Sequence, residues 1–390
     1  MPANEESTGA VTVGGQRLTL FVEPPAAFES MLADIRQARR RVWLEVYIFA
    51  DDEVGHAFAE ALKERARAGL DVRVLYDAFG SMSAYSSFFL KMQAAGIRVA
   101  SYNSLGAVFH RLAVLALLNR RDHRKLLIVD DEVAYFGGMN IVANAQPGHS
   151  ERVAIVSSSH GWRDVHARLQ GNQQAEIAES FERSWYRAHR EKVGNRPAAY
   201  RKGHLNKRQD RIQFFDSGPG RKYTRSGRIF THLFNLARHE ITLSMAYFLP
   251  VGQVWRALLR ARQRGVRIRV VLPAQSDVQI VQRATNFLYG RLLRLGIEIH
   301  ERQGAMLHSK VMVVDGDWTV LGSSNLDARS LWINLEFLAV ARSSSLAELV
   351  HRIIGNELAL SRPITLREVE SRSWWDRLQD RLAWTLRWWL

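Results

Sequence analysis

The strongest constraint on this chain is a pattern written twice. His308, Lys310, Asp315, Gly322, Ser323 and Asn325 stand in HSKVMVVDGDWTVLGSSN. His123, Lys125, Asp130, Gly137, Gly138 and Asn140 stand at the same internal spacings in HRKLLIVDDEVAYFGGMN. Around the second copy the pattern predicts two strands. Val311 to Val314 is a β-branched-rich apolar run of the kind that is buried on both faces, Asp315 and Gly316 turn the chain, and Trp318 to Leu321 runs back. His308 and Lys310 lie two apart and share a face if the strand reaches them. One histidine beside a lysine is ordinarily a solvated edge, but two copies in register are not chance.

The duplication runs beyond the motifs. ARRRVWLEVYIF from Ala38 aligns with ARHEITLSMAYF from Ala237, AGLDVRV with RGVRIRV, and AAGIRVA with RLGIEIH. Strands expected at Arg17 to Phe21, Val42 to Phe49, Val72 to Tyr76 and Ile97 to Ser101 alternate with helices, and the order begins again from about Asp210. Such alternation means α/β layers. The expected organisation is a leader without structure over 1–16, a first half over 17–190, an exposed basic linker over 191–211, a second half over 212–370 and an amphipathic helix over 371–390.

Two histidines, two lysines and two asparagines, with no cysteine cluster and no HExxH spacing, point to phosphoryl chemistry without a metal or cofactor. Cleaving a phosphodiester takes a nucleophile, a proton for the leaving alkoxide and positive groups around the phosphoryl oxygens. One imidazole can attack and the other donate, with Lys125, Lys310, Asn140 and Asn325 around the nonbridging oxygens. On paper the two histidines are interchangeable. Asp164 and Glu336 follow the two motifs at parallel places, where a carboxylate could accept from one ring nitrogen and aim the other.

A net charge of +15 implies a polyanionic partner, nucleic acid or an anionic membrane surface. The end of the chain separates the two. On a helix from Trp374, residues Trp375, Leu378, Leu382, Leu386 and Trp389 line one face, with Asp376, Arg377, Asp380, Arg381 and Arg387 away from it, a pattern that suits a membrane interface, with packing of the stripe on the core as the alternative. Trp384 falls on the polar side, which this reading leaves unexplained. The absence of cysteine excludes disulfide and thiolate chemistry. No secretory signal is evident at the start, and the nearest approach to a spanning segment, Leu105 to Leu118, is interrupted by His110 and Arg111.

The motif HxKxxxxD followed by GGxN or GSxN resembles the signature of the phospholipase D superfamily. DHRKLLIVD, GWRDVHARLQG, AYFLP and GSSNLDARS with NLE are similar to bacterial cardiolipin synthases of the short type that lacks two N-terminal membrane spans. The resemblance implies two duplicated α/β halves, each a mixed sheet flanked by helices, paired about a pseudo-twofold within one chain. It implies a phosphatidyltransferase that joins two phosphatidylglycerols into cardiolipin and releases glycerol, with His123 as nucleophile and His308 as acid and base. Asp130 and Asp315 belong to the catalytic signature, in a part that looks structural. The implied partners are anionic phospholipids, phosphatidylglycerol and cardiolipin, at the cytoplasmic face of a bacterial membrane. A phospholipase D-type hydrolase or nuclease is the alternative, though a nuclease leaves the Trp-rich end without a purpose.

Overall fold

The computed structural model describes residues 8–84, 86–103, 120–143, 161–189, 205, 208–218 and 224–389. Leu105 to Leu118 and most of the basic linker lie outside these residues.

Each half builds one eight-stranded sheet. In the first the order is β1 (Thr8–Val13), β2 (Gln16–Phe21), β9 (His166–Gln170), β7 (Val133–Gly137), β6 (Leu126–Val129), β3 (Arg41–Val46), β4 (Asp71–Asp77) and β5 (Arg98–Tyr102). In the second it is β10 (Arg211–Ser217), β17 (Glu336–Arg342), β16 (Trp318–Gly322), β15 (Lys310–Val314), β11 (Glu240–Met245), β12 (Arg267–Pro273), β13 (Glu298–Arg302) and β18 (Ser361–Pro363). β3, β4 and β5 are parallel and joined through helices, whereas β6, β7 and β9 add on antiparallel. The second sheet repeats that mixture. One difference from the expected organisation lies at the start. Thr8–Val13 pairs with β2 over its whole length, and Gly9 leaves room for the Leu349 side chain of helix Ser344–Ala359, so this part of the leader is a strand.

The doubly apolar motif strands follow from the packing. Leu126 and Ile128 of β6 meet Val311 and Val313 of β15 in a core shared by both halves. Leu127 and Val129 turn the other way, into a core under helices Pro24–Gln37 and Glu53–Arg67, as Met312 and Val314 do under helices Arg225–Leu236 and Gly252–Gln263. Phe136, Phe214 and Phe337 seal the shared core with centroids 5.6 to 5.7 Å apart.

Helix Trp374–Thr385 docks on helix Gln279–Arg294 through its polar side. Asp380 and Ala383 are buried, Asp380 lies 2.8 Å from Arg372 and 3.6 Å from Arg283, and Trp384 stacks on Phe287 at 5.5 Å. Trp384 is thus a docking residue, which accounts for its place opposite the stripe. Trp375, Leu378, Leu382, Leu386 and Trp389 are all exposed. No described helix is long and apolar enough to cross a membrane.

Candidate active site

The motif histidines lie just before their strands, and the opposite half holds each in place. His308 N–H donates to the Arg163 carbonyl at 2.7 Å, continuing the short parallel pairing of β14 (Met306–Leu307) with β8 (Trp162–Arg163). His123 N–H donates to the Leu335 carbonyl at 3.0 Å, beside a bridge between Asp122 and Leu335. Side chains cross in the same way. His308 Nδ1 lies 2.6 Å from Asp164, whereas His123 Nδ1 lies 3.2 Å from Glu336 and 3.1 Å from the Ser323 carbonyl. The expected carboxylate partners are therefore present, but each serves the histidine of the other half. With Nδ1 occupied, Nε2 is the nitrogen left for chemistry in both rings.

Lys125 and Lys310 fold back on the motif. Lys125 Nζ donates to the His123 carbonyl at 2.8 Å, and Lys310 Nζ donates to the His308 carbonyl. Lys310 Nζ also lies 2.8 Å from His308 Nδ1 and 3.6 Å from Asp164. Nδ1 cannot both give its proton to Asp164 and accept from the ammonium. The shorter bond to the carboxylate decides for donation to Asp164, with Lys310 pairing the Asp164 charge.

Burial sets the electrostatics. It pushes His123 well below the ordinary imidazole range, helped by the charges of Lys125 and Lys310, and lowers His308 less severely because Asp164 pulls the other way. Burial brings Lys125 down to about 7, against the attraction of Glu336, and brings Glu336 up to about 7, against Lys125. Asp164 is pushed up by burial but held below its ordinary value by Lys310 and His308. The two halves are thus unequal: His308 faces a firmly ionised carboxylate, His123 a weakly acidic one.

Asn140 and Asn325 are buried beside the motif turns. The Asn140 carboxamide oxygen accepts from Ile48 N–H at 3.2 Å, and that of Asn325 has no hydrogen-bond partner among the described residues. Asp130 and Asp315 stand apart. They sit at the far ends of the motif strands in left-handed turns with φ of 53°, and each accepts three backbone N–H bonds of 2.8 to 3.0 Å. The donors are Arg39, Arg40 and Arg41 for Asp130, and Arg238, His239 and Glu240 for Asp315. These carboxylates clamp the starts of β3 and β11 and do not reach the site, so the signature's catalytic grouping is corrected to a structural one.

Several neighbours escaped the sequence reading. Tyr47 meets the His123 ring at 5.1 Å, and Trp162 and Tyr247 meet His308 at 5.1 and 6.4 Å. Tyr47 aligns with Ala246 and Tyr247 with Ile48, so neither recurs at the matched place where a repeat would reveal it. Arg124, between the motif His and Lys, is fully buried and reaches Ser184 at 2.6 Å and Asp216 of β10 at 3.6 Å, tying the first motif to the second half.

Gly138 and Ser323, the one unmatched pair in the motifs, differ for a physical reason. Ser323 donates its hydroxyl to Glu336, whereas a Cβ on Gly138 would fall on the Asp164 carboxylate. Gly138→Ala is therefore expected to displace Asp164 from His308 and lower kcat by roughly 10- to 100-fold with little change in Tm. Steady-state kinetics beside a melting curve checks this.

The family model described as "Cardiolipin synthase, PLD-like domain" matches residues 31–185 and 230–357. A cardiolipin synthase of Listeria monocytogenes is 30% identical over 382 residues, covering 96% of this chain and 76% of that protein. The chain belongs to the cardiolipin synthase family. Cardiolipin synthase A of Pseudomonas aeruginosa is 29% identical over 376 residues, covering 96% of this chain and 74% of that protein. The fold is also that of the phosphatidylserine synthase of Haemophilus influenzae, with a TM-score of 0.71 at 12% identity over 99% of this chain and 96% of that one. As a member of the cardiolipin synthase family, the chain is a phosphatidyltransferase whose two duplicated halves are the two parts of the family match.

Proposed function

We propose that this enzyme makes cardiolipin from two phosphatidylglycerols through a phosphohistidine on His123, working peripherally at the cytoplasmic face of the membrane. The observation that carries this reading is the crosswise pairing of His308 with Asp164 and of His123 with Glu336, which gives two imidazoles different protonation tendencies in one buried site. His308 faces the ionised carboxylate and is the better proton carrier. His123, pushed furthest toward the neutral form, is the better nucleophile.

In the first step His123 Nε2 attacks phosphorus, forming a P–N bond as the P–O bond to glycerol breaks, and His308 gives its proton to the leaving oxygen. In the second, the acceptor hydroxyl loses its proton to His308 as its oxygen attacks phosphorus and the P–N bond breaks. Lys125, Lys310, Asn140 and Asn325 stabilise charge on the nonbridging oxygens. Burial and the neighbouring cations disfavour imidazolium in this site. An entering phosphodiester supplies the missing negative charge, so substrate binding itself promotes protonation of His308.

Brief reaction with phosphatidylglycerol labelled in its phosphatidyl part, quenched without acid, is expected to leave label on His123. Label on His308 would reverse the assignment, and turnover with no labelled histidine at any quench time would remove the covalent step.

A further inference from the structure

The two sides of the site differ in what they offer a substrate hydroxyl. On the His123 side the strand-end carboxylate Asp77 is fully buried and held by the backbone: it accepts from the N–H groups of Phe79 and Gly80 at 3.0 Å and of Asp122 at 2.8 Å. On the His308 side the loop after β12 carries Asp277, whose carboxylate is only half-buried. Among the described residues its donors are the Tyr247 hydroxyl, 2.8 and 2.9 Å from the two oxygens, and the Ser276 hydroxyl at 3.4 Å. A carboxylate accepts about four hydrogen bonds, so Asp277 has room for a further donor. The Tyr247 ring spans the gap to the His308 ring, and the Asp277 charge is felt at both His308 and Lys310. Val278 and Ile280 beside it are exposed apolar residues, as suits a side approached from lipid.

We propose that Asp277, aligned by Tyr247, binds the second hydroxyl of a vicinal-diol acceptor and so selects a glycerol head group for attack on the phosphohistidine. This rests on the phosphohistidine reading above. The attacking hydroxyl gives its proton to His308 and forms the new P–O bond while the P–N bond breaks. The neighbouring hydroxyl donates to Asp277 throughout. A head group with a carboxylate in place of that second hydroxyl would be repelled by Asp277.

The test is how the intermediate divides between added alcohol and water, a ratio that does not depend on how much of the protein is active. Full-length enzyme is given phosphatidylglycerol vesicles with either 1,2-propanediol or 1-propanol. The native enzyme is expected to prefer the diol by about tenfold or more, the range of a hydrogen bond to a charged group. Asp277→Asn and Asp277→Ala are expected to shrink that preference toward unity, and Tyr247→Phe to weaken it. A preference that survives in Asp277→Ala, or no preference in the native enzyme, overturns the inference while the covalent mechanism stands. Failure of the native enzyme to transfer to either alcohol would instead fault the underlying reading.

Discussion

Alanine in place of either His123 or His308 is expected to abolish turnover, by about 10⁴-fold or more, with the fold retained. Each substitution removes a different essential part, the nucleophile or the proton carrier, and neither can be taken over by the other ring. The fold should survive because the groups left behind keep partners. Asp164 still accepts from Val165 N–H at 2.7 Å and still faces Lys310, while Glu336 still accepts from Ser323. The residual cost of the lost side-chain bond is about 1–3 kcal/mol, which a melting curve would show as a modest shift. The crosswise geometry adds a sharper expectation. Asp164→Asn, although Asp164 belongs to the first half, should cost much less in a His308→Ala background than in the native enzyme, whereas Glu336→Gln should couple in that way with His123→Ala. Coupling within halves instead of across them would contradict the pairing. Mixing the two inactive alanine variants should not restore activity, since both halves are packed through one shared core and exchange would require unfolding.

Sequence patterns reach as far as the repeat itself. The motif spacings and the strand and helix alternation show two α/β halves, because burial on both faces of β6 and β15 writes an uninterrupted apolar run and alternation demands layers. Identity of the histidines, lysines and asparagines follows from the same repeat. What packing alone decides is hidden. Asp164 follows the first motif yet serves His308, and no spacing along the chain can reveal a partner chosen by how two halves meet. Asp130 and Asp315 recur as faithfully as the histidines, since a clamp on three backbone N–H groups is as demanding as chemistry, so recurrence could not tell the two uses apart. Tyr47, Tyr247 and Asp277 break the repeat and were invisible to a search for it. The first strand, TGAVTV, escapes the sequence because its β-branched run is only Val11 to Val13 and just one of its six residues is buried, too short a pattern to stand out after the preceding polar residues.

Replacing Trp375, Leu378 and Leu382 by serine is expected to lower binding to anionic vesicles by about 100-fold and to leave Tm nearly unchanged. Both halves of that expectation follow from which face of helix Trp374–Thr385 does the docking. Its contacts with helix Gln279–Arg294 run through Asp376, Asp380, Ala383 and Trp384, and the three substituted residues lie off that docking face, Trp375 stacking on its own neighbour Trp374 at 3.9 Å. They stand 56%, 38% and 57% exposed, an arrangement that costs a protein in water and is repaid only against an apolar phase. Fully burying such side chains is worth roughly 1.5–3 kcal/mol each, and insertion to the depth of an interface recovers part of it, about 3 kcal/mol for the three. Exposed Arg377 and Arg381 add roughly 1 kcal/mol each on an anionic surface, a share that salt should erode while the apolar share remains. Position ties the anchor to catalysis. Trp388 stacks on Trp332 at 5.2 Å, and Arg329 donates to the Trp389 carbonyl at 3.3 Å, both from the short helix that follows Asn325. Activity on bilayers at limiting lipid should therefore fall with binding, while turnover of a short-chain, water-soluble phosphodiester stays within about twofold of native. Unchanged vesicle binding in the triple variant would show that the stripe does not meet lipid, and a collapse in Tm would show that these side chains support the fold after all.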